Sequence, residues 1–78
     1  MEPTSTAILA AIEAKIPDAS VEITSGGGGH YSLVVRSPAF RGRSMVESHR
    51  MVYTAIAPLM AGDAAPVHAI DTLRTIAS

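Results

Sequence analysis

Three histidines, a cluster of arginines and a run of four glycines are the residues of this chain whose types and spacing point to chemistry. His30 directly follows Gly26-Gly27-Gly28-Gly29, and His68 follows Pro66-Val67 at the start of an alternating segment. Neutral imidazole is a common metal ligand, and strand ends beside loops are where ligands are usually presented. His30 and His68 are therefore the candidate ligands. His49 shares a helical stripe with Met45, Val52 and Ile56 and reads as a structural residue. Two imidazoles do not fill a metal's coordination, so a site built on them is shared with a partner.

Other chemistries find less support. There is no cysteine, which excludes disulfides and any self-contained Cys-based zinc site and is compatible with a reducing compartment. The glycine run lacks the Gly-Lys-Ser/Thr ending of a phosphate loop and joins two strands, not a strand to a helix. It reads as a hairpin loop that permits positive φ and lets another backbone come close. No serine sits in a Gly-x-Ser-x-Gly elbow and the acids fall at polar positions, so no catalytic machinery is expected. Arg41, Arg43 and Arg50 bracket a helix start at Gly42-Arg43-Ser44, an arrangement that helix-turn-helix proteins turn toward phosphates. An ordinary solvated surface also carries such arginines, and the net charge of −1 works against nucleic-acid affinity.

The elements that position these residues follow from periodicity. Ile8, Ile12 and Ile16 recur at helical spacing after a Thr4 or Ser5 cap, and Pro17 stops the helix, which is expected over roughly residues 5–16. From Ser20 the period becomes two: Val21 and Ile23 oppose Glu22 and Thr24, and beyond the glycines Tyr31, Leu33 and Val35 oppose Ser32, Val34 and Arg36. This predicts an antiparallel hairpin. Ser37-Pro38 starts a single helical turn ending near Phe40 and Gly42. Ser44 and Glu47 form a capping box for the main helix. Its expected inner stripe is Met45, His49, Val52, Ile56 and Leu59, flanked by Val46, Tyr53 and Met60. Pro58 is expected to kink or shorten it, and Gly62 to end it. Val67 to Leu73 reads as a third strand, with Val67, Ala69, Asp71 and Leu73 on one face. The order is α-β-β-α-α-β, an α+β fold whose three-stranded sheet is covered by helices on one face.

With 78 residues the chain is read as a single domain, 1–78. The 47% apolar content suffices for a core, although Tyr31, Phe40 and Tyr53 are the only aromatics. The polar, acidic start Met1-Glu2-Pro3-Thr4 is unlike a secretory leader, and no apolar run is long enough to cross a bilayer. A cytoplasmic protein without membrane contact is expected.

Three motifs then combine: Phe40-x-Gly42-x-Ser44, Ser48-His49-Arg50-Met51-Val52-Tyr53 and Val67-His68-Ala69-Ile70, with Gly29-His30-Tyr31 ahead of them. Together, over about 60 residues, they resemble the BolA family, with Ser48 standing where arginine is common. The resemblance implies a type II KH-like α-β-β-α-α-β fold. It also implies a heterodimer with a monothiol glutaredoxin and a [2Fe-2S] cluster held between the two, with none expected in the isolated protein. The family's His-Ala strand motif makes His68 a cluster ligand. The second ligand comes from the loop between the first two strands, where this chain offers only His30. The implied function is iron–sulfur assembly, trafficking or regulation. The alternative is a nucleic-acid-binding transcriptional regulator using Arg41, Arg43 and Arg50 on possible DNA.

Overall fold

The computed structural model describes residues 2–78. Helix α1 (Pro3–Lys15) leads into strands β1 (Ser20–Gly27) and β2 (His30–Ser37), then a 3-10 turn (Pro38–Phe40), helix α2 (Met45–Met60) and strand β3 (Ala69–Ala77). The sheet order is β1-β2-β3, with β1 antiparallel and β3 parallel to the central β2. The inward residues of β2, Tyr31, Leu33 and Val35, meet Ile8 and Ile12 of α1 and Val52 and Ile56 of α2 in one core. This is the α+β arrangement that the periodicity predicts.

Helix α1 starts earlier than expected. Its cap is Glu2, whose carboxylate accepts the amides of Thr4 at 3.0 Å and Ser5 at 2.8 Å. Pro3 fits the first helical position because no amide is needed there, and the anionic cap complements the positive helix end. Glutamate is not a favoured cap, so the preference for Thr4 or Ser5 misplaced the boundary.

Helix α2 opens with the expected capping box: the Glu47 amide donates to Ser44 Oγ, and Glu47 Oε1 accepts the Ser44 amide. Its inner face is nevertheless rotated from the expected stripe. The buried line is Ser48, Val52, Ala55 and Ile56, whereas Met45 and Val46 are 71% and 65% exposed and Tyr53 is exposed too. His49 is half-buried beside that line, not within the core. Small residues set this phase. Ser48 Oγ bonds the Met45 carbonyl and meets Thr75 Oγ1 at 2.5 Å, which brings α2 close to β3. Pro58 does not shorten the helix. It lies in the last turn, where the ladder bond it forgoes is to exposed Thr54.

Strand β3 begins at Ala69 and not at Val67, and its faces differ from strict alternation. Ile70 pairs with Tyr31 and Leu73 with Leu33, so two inward residues are three apart, with a register shift between Tyr31 and Ser32. Asp71 is the extra residue of a β-bulge, which a simple period of two does not anticipate. No helix among the described residues is long and apolar enough to cross a membrane.

Candidate functional site

The hairpin loop and the start of β3 meet at one end of the sheet. Gly27, Gly28 and Gly29 all have positive φ, at 85°, 62° and 80°, so the turn needs residues without a side chain. Gly29 also makes the close approach. Its carbonyl accepts the amides of His68 at 2.8 Å and Ala69 at 3.2 Å. A Cβ at Gly29 would lie 2.9 Å from His68 Cγ and 3.1 Å from the Pro66 carbonyl oxygen. The His68 ring is therefore seated against the bare Gly29 backbone. From the other side, the Val67 amide donates to the Leu59 carbonyl at 3.1 Å, and Val67 is buried. The chain entering His68 is thus anchored to the end of α2.

His30 opens β2 and pairs with Ala69, the residue after His68. The sequence places the two histidines 38 positions apart, and the parallel pairing of β2 with β3 brings both residues to the same end of the sheet. His30 Nδ1 lies 2.9 Å from Asp71 Oδ1, and both side chains are about half exposed, at 48% and 52%. The sequence assigns Asp71 only a place on one face of the third strand, because its approach to His30 depends on strand pairing and on the bulge. Among the described residues no group of three or more His, Cys, Asp and Glu side chains is arranged to hold a metal ion. Two imidazoles are the protein ligand set of one iron in a Rieske-type centre.

A carboxylate and a phenol tie α1 to the same end. Tyr31 donates its hydroxyl to Glu2 Oε1 at 2.9 Å, and Ser5 Oγ donates to the same oxygen at 2.5 Å. The Ser5 hydroxyl is the main reason that the Glu2 carboxyl is held below its ordinary range, with smaller help from Tyr31 and the capped amides against an opposing burial effect. Burial, seconded by Glu2, pushes the Tyr31 phenol up.

The three arginines have different surroundings. Arg43 and Arg50 line an open groove of about 440 Å³ with Lys15, Met51 and the acidic Glu47. Arg41 instead donates its Nε to the Ser78 carbonyl. Arg43 Nε is engaged with the Ala39 carbonyl at 3.2 Å. His49 lies outside the histidine pair, beside exposed Met45, Val46 and Tyr53.

Fold and site define a class: a small α+β module that displays two imidazoles over a glycine hairpin at one end of a mixed sheet. Residues 6–77 match the BolA-like protein family, and the chain belongs to that family. No curated protein matches the sequence itself. The solved structures do: BolA1 from Mus musculus is 30% identical, with TM-score 0.75, over 99% of this chain and 67% of that one. Yeast Fra2 is 25% identical, with TM-score 0.69, over 99% of this chain and 82% of that one. The BolA domain of SufE1 from Arabidopsis thaliana shares the fold at 22% identity, with TM-score 0.74, over 99% and 94%.

Proposed function

We propose that this chain supplies half of the ligand set of a [2Fe-2S] cluster shared with a monothiol glutaredoxin. In this reading it serves iron–sulfur assembly, trafficking or regulation as a binding protein, not as an enzyme. The observation that carries the reading is the placing of two imidazoles at one end of the sheet, His68 seated on Gly29 and His30 joined to Asp71. Both rings are accessible, and neither comes with enough neighbouring ligands to complete a metal's coordination. A partner must then supply the remainder. Kinship with yeast Fra2 and with the BolA domain of SufE1 agrees with this reading.

The residues fit such a cluster chemically. Imidazole is a weaker-binding, protonatable alternative to thiolate, and histidine ligation of one iron raises the potential of a [2Fe-2S] centre. Bound here, the cluster would supply electron-transfer or transferable iron–sulfur chemistry. The chain's own task is to hold two ring nitrogens in place at this exposed end of the sheet.

Co-expression with a monothiol glutaredoxin, followed by visible absorption and circular dichroism, tests the reading. The lone protein should be colourless, and the pair should show a cluster spectrum. His68→Ala should abolish that spectrum while leaving the denaturant midpoint of the lone protein nearly unchanged, because the ring is exposed. A His68→Ala heterocomplex with the native spectrum at full occupancy would remove the proposal.

A further inference from the structure

We infer that Asp71 is a positioning residue for His30: it holds the ring proton on Nδ1 and leaves Nε2 as the free nitrogen donor. The inference deepens the cluster reading above and rests on it for what that nitrogen binds. A carboxylate only accepts hydrogen bonds, so the 2.9 Å contact between Asp71 Oδ1 and His30 Nδ1 requires the hydrogen on Nδ1. In a neutral imidazole the other nitrogen then carries the lone pair. Metal-bound histidines recur with this arrangement, one ring nitrogen on the metal and the other donating to a carboxylate that fixes the tautomer and raises the basicity of the ligand.

The backbone is arranged around the pair. The bulge inserts Asp71 between Ile70 and Thr72, so Ile70 and Leu73 both stay in the core while Asp71 is left on the exposed edge beside His30. Bulges of this kind re-aim side chains next to functional sites. Gly26 lies alongside: a Cβ built there would sit 3.8 Å from His30 Cβ and 3.9 Å from Asp71 Oδ2. An exposed polar contact of this kind adds little to stability, so its consequence lies in which nitrogen carries the proton. The two rings are held by different means, His30 by a carboxylate and His68 by backbone contact with Gly29. That difference supplies an internal control.

The test starts on the lone protein, uniformly labelled with ¹⁵N, at alkaline pH where the rings are neutral. Long-range ¹H–¹⁵N correlations should show His30 with its proton on Nδ1. Asp71→Ala should convert that ring to a mixture or to the Nε2–H form, whereas Asp71→Asn, whose amide oxygen still accepts, should retain Nδ1–H. The His68 ring should not respond, and the backbone amide spectrum should report an intact fold for both variants. In the reconstituted heterocomplex, Asp71→Ala should weaken cluster retention on the order of 10–100-fold, with Asp71→Asn closer to the native protein. A His30 ring with its proton on Nε2 in the native protein, or one indifferent to Asp71→Ala, overturns the inference. So does a tautomer change that leaves cluster retention at the native level. If the native heterocomplex holds no cluster, the cluster reading itself fails. The tautomer data then judge the Asp71–His30 pairing alone: a proton released from Nδ1 in Asp71→Ala upholds it, and an unchanged ring overturns it.

Discussion

The two ends of strand β2 are finished in opposite ways. At the Ser37 end the turn itself is closed. Ser37 is fully buried, its Oγ donates to the Pro17 carbonyl at 2.6 Å and accepts the Ala39 amide at 3.0 Å, and Phe40 is buried immediately beyond. At the His30 end the chain turns through glycines at positive φ, and His30, His68 and Asp71 are exposed. One end satisfies its polar groups internally and excludes water. The other leaves ring nitrogens accessible and spends little apolar surface. The lesson is a division of labour along one sheet: stability resides at the closed end and in the core, and the binding chemistry proposed above at the open end.

The largest effect that would sharpen this contrast is at the closed end. Phe40→Ala should cost about 3–5 kcal/mol, read as a fall in denaturant midpoint, because it empties a buried aromatic site. A loss under about 0.5 kcal/mol, the range of ordinary surface changes, would break the comparison.

A smaller effect separates strain from contact at the open end. Gly28 and Gly29 both have positive φ, but only Gly29 has neighbours where a Cβ would go. Gly29→Ala should destabilise by more than about 1 kcal/mol and displace the His68 ring, visible as altered His68 ring resonances. Gly28→Ala should carry the backbone strain without moving His68. Equal behaviour of the two variants in the His68 spectrum would mean that Gly29 does not seat the ring.

The smallest effect concerns acid. Glu2 ties α1 to Tyr31 at the open end, and its folded carboxyl is held below the ordinary value of 4.5, chiefly by the Ser5 hydroxyl. A depressed carboxyl contributes stability that is fully present above the unfolded value and disappears as pH falls through the folded one. Acidification below about 4.5 should therefore lower the hydrogen-exchange protection factors of the Thr4 and Ser5 amides before those of the closed end, whose ties at Ser37 are neutral. Glu2→Gln should flatten that pH dependence. The same acid response in Glu2→Gln would show that the tie lies elsewhere.

Much of the fold was legible as pattern. The hairpin, the capping box of α2, the 3-10 turn and the order of elements follow from local periodicity and turn chemistry, which neighbouring residues impose on one another. The Glu2 cap, the rotated face of α2 and the β3 bulge were not legible. Helix phase is ambiguous when apolar residues such as Met45, Val46 and Tyr53 ring the whole helix, and it was Ser48 against Thr75 that decided which side turned inward.

For the site, sequence by itself determined the candidates: imidazoles beside loops, in a chain without cysteine, within motifs of the BolA family. Only the tertiary structure decided that His30 and His68 lie at the same end of the sheet. That follows from the parallel pairing of β2 with β3, a contact between residues 38 apart in the chain. It also decided that Asp71, silent in the sequence, is the partner of His30 and that Gly29 is the seat of His68. Both relations depend on through-space approach across strands, and a one-residue change in register would undo them, because successive side chains in a strand point to opposite faces.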